Sequence, residues 1–471
     1  MRSVRRSLLL VPVLAAFATL STQSTAAPLS EETLSFRPFE TIHVYRSSPR
    51  PAHVVIFVSG DGGWNLGVID MARELAGLDS LVVGIDIRAY LKHLATESGA
   101  CTYSAATFEE LSQVLEKRYG YPDYVPPVLV GYSSGATLVY ATLAQAPPNT
   151  FRGGISLGFC PDLPLQRPLC RGSGLLYERN QNKKGFTFLP APHLQTPWIA
   201  LQGDLDRVCN ADIAAHLVTR TGNTTLVRLP KVGHGFSVQR NWMPQFRNSF
   251  NQLVADEQRP ARPGSSSLEG LPLVEVTARK PGKTFAIIIS GDGGWASIDK
   301  SLADALAADG IPTVGFDSLH YFWTKRTPEE AGKALQDIVQ FYLAKWKMEK
   351  ILLIGYSRGA DVLPFMASRL PPESVSHISL IALLGLAHSV DFEFRMTDWL
   401  PGKPTRAPYK ILPEVEKLAG RKLLCIYGED EPTPLCPDLD SASFKSVKLP
   451  GGHHFGGDYN GLANLILREA R

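Results

Sequence analysis

Several things are scarce in this chain, and each absence narrows the field. No apolar stretch is long enough to cross a bilayer, which takes about 20 residues; the N-terminal run Leu8–Leu20 has only 13. Charge of one sign is not in excess either: 48 Lys and Arg stand against 45 Asp and Glu. Three of the basic residues, Arg2, Arg5 and Arg6, precede the apolar run, and small residues follow it at Ser24–Ala27. That pattern predicts a secretory signal peptide over residues 1–26, cut near Ala26 or Ala27. Without it the two signs balance, and nothing supports the concentrated basic face that nucleic acid requires. There are only six cysteines, Cys101, Cys160, Cys170, Cys209, Cys425 and Cys436, and none forms a C-x-x-C pair. No metal or redox centre is expected from them, and no cofactor. An even number in an exported chain suggests disulfides instead. Cys425 and Cys436, separated by ten residues, are expected to bond.

What is present is present twice. Ser59–Trp64 and Ser290–Trp295 both read SGDGGW. Gly131–Ala136 (GYSSGA) is matched by Gly355–Ala360 (GYSRGA), and Leu229–Phe236 (LPKVGHGF) by Leu449–Phe455 (LPGGHHF). The offsets of 231, 224 and 220 residues describe a duplicated domain, since solenoid units run only about 20–50 residues. A length of 471 residues suits two such domains. They are placed at 28–255 and 272–471, joined by the Pro-, Gly- and Ser-rich linker 256–271.

Each half alternates apolar strands with helical segments. Strands are predicted at 54–59, 81–86, 128–131, 154–158 and 198–203, and again at 284–290, 312–317, 350–355, 378–384 and 421–428. Continuous apolar strands alternating with helices imply an α/β fold, a mostly parallel sheet covered on both faces. Two long inserts, 160–197 and 386–420, precede the last of these strands in each half and are candidate caps.

The repeated G-x-S-x-G lies between a predicted strand and a predicted helix. In that context it is a nucleophile elbow, whose glycines permit the strained turn that lifts the serine clear of the sheet. A serine needs a base, and the base an orienting acid. On such a sheet the order is Ser, acid, His. The first half supplies Ser133, Asp206 and His234. The second supplies Ser357, then Glu431 with Asp430 as an adjacent alternative, then His453 with His454 beside it. Aligning the repeats selects Glu431 and His453. The SGDGGW loop occupies the place of the second oxyanion donor, so the backbone N–H groups of Asp292 and Arg358, and of Asp61 and Ser134, are the candidate oxyanion holes. The loop lacks the lysine of a P-loop. Asp86 and Asp317 end matching strands and read as caps. Tyr321–Trp323 reads either as core or as a lipid-facing aromatic cluster.

SGDGGW, GYSRGAD (355–361), VDFEFRMTDWL (390–400), CIYGEDE (425–431) and LPGGHHFGGDY (449–459) resemble the VirJ/AcvB family of bacterial virulence proteins. The second half is similar to VirJ and the two-domain whole to the AcvB type. The resemblance implies tandem α/β-hydrolase domains and a periplasmic location. It also implies hydrolysis of aminoacyl-phosphatidylglycerol, lysyl-phosphatidylglycerol above all, with the activity in the VirJ-like half and Ser357 as nucleophile. The expected partner is then a phospholipid of the periplasmic leaflet, with secretion-system components as a further possibility. The alternative is a non-catalytic adaptor or chaperone for type IV secretion substrates, because a fold does not fix a function.

Overall fold

In the computed structural model the described residues are 29–96, 101–181, 184–255, 268, 270–295, 297–394 and 407–471. The expected signal peptide and nearly all of the linker lie outside them, as does part of the 390–400 motif.

The first half builds one eight-stranded sheet from β1 (Ser30–Phe36), β2 (Glu40–Arg46), β3 (His53–Val58), β4 (Ser80–Ile85), β5 (Val128–Tyr132), β6 (Gly153–Leu157), β7 (Trp198–Gly203) and β8 (Thr224–Leu229). The strand order is β1-β2-β4-β3-β5-β6-β7-β8. The second half builds a seven-stranded sheet from β9 (Leu273–Val276), β10 (Thr284–Ile289), β11 (Thr313–Phe316), β12 (Lys350–Tyr356), β13 (Ile378–Leu384), β14 (Leu423–Gly428) and β15 (Lys445–Leu449), in the order β9-β11-β10-β12-β13-β14-β15. The two orders superimpose once β1 is set aside. In each sheet the strands next to the first edge pair antiparallel and the remaining pairs are parallel. This is the two-domain α/β architecture expected from the alternation.

The strands are apolar throughout because both faces are covered. Along β3, Val54, Ile56 and Val58 pack with Phe108 and Leu138 of the helices Ser104–Arg118 and Ser134–Gln145. Val55 and Phe57 point the other way, toward Met71 of Leu66–Gly77 and Phe246 of Met243–Ala255. In β10, Ile287 and Ile289 meet Leu335 of Pro328–Trp346, while Ile288 meets Leu302 of Ser297–Ala308 and Ile466 of Tyr459–Ala470. Burying one such side chain contributes about 1.5–3 kcal/mol, so these central strands anchor both domains.

The edge strands were not predicted. β1 is mostly exposed or half-buried, and β8 and β15 are only partly covered. An edge strand facing water does not need the apolar run that marks its neighbours.

The halves are joined by more than the linker. Trp323 of the second half is 1 % exposed and belongs to the apolar core of the first, together with Leu319 and Phe394. Its indole N–H donates to the Tyr121 carbonyl at 2.8 Å, its ring stacks on Phe394, and the Lys117 ammonium sits 4.4 Å above it. Tyr321 and Phe322 are buried too. The lipid-facing reading of Tyr321–Trp323 is therefore corrected: the run is domain core and domain interface.

Three disulfides form, Cys101–Cys170, Cys160–Cys209 and Cys425–Cys436. The last is the expected pair. The first two pin the 160–197 insert, which folds as a small three-stranded sheet (Asp162–Leu163, Tyr177–Arg179, Phe186–Phe188), to the body of its domain.

Candidate active site

Both serines sit at the turn between a strand and the helix that follows it. Ser133 has φ 56°, ψ −123° and Ser357 φ 54°, ψ −123°. A non-glycine residue there carries strain of about 1–3 kcal/mol, and such strain concentrates at functional sites. The neighbouring glycines are sterically required. A Cβ on Gly135 would lie 2.3 Å from the Val58 carbonyl oxygen, and one on Gly359 would lie 2.0 Å from that of Ile289.

In the first domain the candidate triad is connected along its length. Ser133 Oγ is 2.9 Å from His234 Nε2, and His234 Nδ1 is 2.9 Å from Asp206 Oδ2. Asp206 is fixed from behind. Its Oδ1 accepts the Val208 and Cys209 N–H groups at 2.9 and 2.8 Å, and Gln202 Nε2 approaches Oδ2 at 3.4 Å. Cys209, Asp206 and His234 cluster closely enough to suggest a metal site. The Cys209 sulfur is bonded to Cys160, however, so it offers no thiolate.

In the second domain His453 Nδ1 meets Glu431 Oε1, and Glu431 Oε2 accepts the Gly428 N–H at 2.9 Å. The carboxylate on the histidine is thus Glu431 rather than Asp430, and the histidine is His453. His454 instead lies against the Tyr356 hydroxyl at 3.2 Å. Burial and the neighbouring His453 hold its pKa below the ordinary imidazole value. Ser357 and His453 line one cavity. Among the described residues no hydrogen bond joins them, a common situation before substrate tightens a catalytic pair.

Each SGDGGW loop lies against its serine. A Cβ on Gly60 would come 2.9 Å from Ser133 Cβ, and one on Gly291 would come 3.3 Å from Ser357 Cβ. The loops are anchored at both ends. Trp64 and Trp295 fill the space over Gly84 and Gly315, where any side chain would collide with the indole. Those tryptophans serve packing. Asp86 binds Arg88, and Asp317 accepts the His320 N–H as helix cap and pairs with the imidazole at 2.7 Å.

Sequence reasoning missed one link that both domains share. The residue after the serine holds the loop aspartate through its side chain. Ser134 Oγ donates to Asp61 Oδ1 at 2.7 Å, and Arg358 Nε donates to Asp292 Oδ1. Arg358 also binds the Asp391 carbonyl at 2.9 Å, tying the second insert to the elbow. The signal was available: the loop aspartate is the same in both repeats, while its partner changes from hydroxyl to guanidinium.

The two sites differ in their surroundings. Ser357 and His453 open on a cavity of about 1130 Å³ whose far wall belongs to the first domain, including Glu109, Gly172–Gly174 and Pro192–Gln195. Residues of the 160–197 insert therefore face the other domain's serine. Around the first triad the loops after β3, β7 and β8 carry Leu66, Leu205, Val208 and Val238, which are 83, 62, 70 and 47 % exposed.

The sequence matches the family described as bacterial virulence protein (VirJ) over residues 52–153 and 283–471, more than half of the chain. The chain belongs to this family. Both matched segments contain an SGDGGW loop and a G-x-S-x-G elbow, so the VirJ family pattern spans both serines described above. No curated protein matches the sequence. Similar solved structures include an esterase domain from Rhodothermus marinus, at 14% identity and TM-score 0.32, covering 48% of this chain and 98% of that one. An α/β serine hydrolase without lid from Xanthomonas campestris shows 19% identity and TM-score 0.31, covering 48% and 94%. A butyrate-bound thermophilic esterase from Thermogutta terrifontis shows 13% identity and TM-score 0.33, covering 50% and 96%.

Proposed function

We propose that this VirJ-family chain is a periplasmic serine ester hydrolase that removes the aminoacyl group, lysyl in particular, from aminoacyl-phosphatidylglycerol. The observation that carries the hydrolase reading is the strained serine elbow with its histidine and buried acid, built twice. Ser Oγ attacks the ester carbonyl as His Nε2 takes its proton. The acid on Nδ1 holds the tautomer and stabilises the imidazolium. The N–H groups of Asp292 and Arg358, or of Asp61 and Ser134, receive the oxyanion. The histidine returns the proton to the departing glycerol hydroxyl. Water then attacks the acyl-enzyme, and free amino acid leaves.

The substrate assignment rests on family membership together with the chemistry. An aminoacyl ester of a glycerol hydroxyl is a good acyl-transfer substrate. Exposed apolar side chains such as Leu66, Leu205, Val208 and Val238 of the first domain suit a protein that works at a membrane surface. The resemblance of the second half to VirJ favours Ser357 over Ser133 as the nucleophile for this substrate. The test is release of free lysine from vesicles containing lysyl-phosphatidylglycerol by the full chain, Ser133→Ala, Ser357→Ala and the double variant. Ser357→Ala is expected to lose at least about a thousandfold in rate, with most turnover retained by Ser133→Ala. Undiminished release by the double variant would remove the enzyme reading and leave the adaptor.

A further inference from the structure

Two carboxylates in the cavity at Ser357 have no role in the chemistry above. Asp299, from the helix that follows the second SGDGGW loop, is 3 % exposed. Its Oδ1 is buried without a hydrogen-bond partner. It lines the cavity and is the charge that acts most strongly on Tyr356, the residue before the nucleophile. Glu109 comes from the other domain, on the helix Ser104–Arg118. It reaches the same loop: a Cβ on Gly293 would lie 3.8 Å from its Oε2. Both acids also feel the charge of Asp317, which places the three together. Asp317 pairs with the His320 imidazole at 2.7 Å. Among the described residues, neither Glu109 nor Asp299 has a basic partner.

Uncompensated acids are costly where water is scarce, and Asp299 is buried while Glu109 is half-buried. Burial, with Asp317 adding to it, pushes the Glu109 carboxyl up to about 8, and burial raises Asp299 well above its ordinary value. A ligand cation would relieve that cost. The acids line the same cavity as the nucleophile, where Lys300 is engaged by Gln195 Oε1 at 3.1 Å. A cation carried by the substrate would reach them there, and an ammonium has the size and donors to meet two carboxylates.

We propose that Glu109 and Asp299 form a cation-binding subsite, shared between the domains, for ammonium groups on the acyl part of the ester cleaved at Ser357. The first domain then supplies substrate selection to the second domain's site. This rests on the hydrolase reading.

The test uses the full chain carrying Ser133→Ala, so that only Ser357 is read. Its substrates are the p-nitrophenyl esters of hexanoic acid, norleucine and lysine. These share a six-carbon skeleton and a leaving group, and add zero, one and two ammonium groups. The expected order of kcat/KM is hexanoate, norleucine, lysine. Glu109→Gln and Asp299→Asn should each shrink the lysine-to-hexanoate ratio by about tenfold or more, mainly through KM on the lysine ester. Melting curves show whether the buried Asp299→Asn variant folds, and Glu109→Gln serves alone if it does not. Equal rates on lysine and hexanoate esters, or a ratio unmoved by Glu109→Gln, overturn the subsite while the hydrolase reading stands. No turnover of any ester by the folded parent overturns the subsite, and no turnover by the chain with both serines intact overturns the hydrolase reading as well.

Discussion

Replacing Glu431 by Gln tests the catalytic reading at the level of one proton. Glu431 uses one oxygen to accept from Gly428 N–H at 2.9 Å and the other to hold His453 Nδ1. A glutamine of nearly the same shape has a single oxygen. Turning its amide group toward Gly428 would set two donors against each other, so the oxygen stays there and the NH₂ faces His453. Nδ1 must then act as acceptor, which puts the ring proton on Nε2, the nitrogen needed to take the proton of Ser357. A triad held in the wrong tautomer loses about 10⁴ in kcat, equivalent to about 5–6 kcal/mol of transition-state stabilisation. The measurement is steady-state hydrolysis of p-nitrophenyl hexanoate by Glu431→Gln in the Ser133→Ala background, with a melting curve for each protein. A loss below about tenfold in a well-folded variant would show that Glu431 does not orient the base.

Four further outcomes are expected. Glu109 has a folded-state pKa of about 8 against an ordinary 4.5. Its contribution to stability is therefore complete below pH 4.5 and lost as pH rises through 8. Glu109→Gln should gain melting temperature relative to the parent between pH 5 and pH 9, and a difference that stays flat with pH would count against this. Trp323→Ala removes a fully buried indole from the domain interface and should cost about 3–5 kcal/mol, read by urea denaturation; a change under about 1 kcal/mol would mean the halves do not pack there. Replacing both Cys425 and Cys436 by Ala should cost about 2–3 kcal/mol from the short loop they close, and free alkylation of Cys425 without reductant would refute the bond. Leu205→Asp with Val208→Asp should weaken sedimentation with phospholipid vesicles, and unchanged binding would exclude these exposed side chains as the membrane contact.

Much of this was legible in the sequence because the motifs encode local geometry. G-x-S-x-G specifies a turn whose glycines cannot bear side chains, and the order Ser133, Asp206, His234 follows from where strand ends fall on such a sheet. The central strands were visible because residues such as Ile287–Ile289 face helices on both sides. β1 and β9 were not visible, since an antiparallel edge needs no continuous apolar run, and β2, between β1 and β4, mixes buried residues with half-buried and exposed ones. The fate of Trp323 was also hidden. An aromatic run reads the same whether water, lipid or another domain covers it, and only the docking of the halves decides. Glu109 was passed over for the same reason: within its own helix it is one acid among several, and its meaning comes from Gly293 in the other domain.

The cavity at Ser357 has its nucleophile and its far wall on separate folds. Variation in the first domain can therefore alter which acyl groups are admitted while the bond-breaking residues stay untouched. In the proposed subsite the duplicated fold serves one cavity twice, once for choosing and once for cutting.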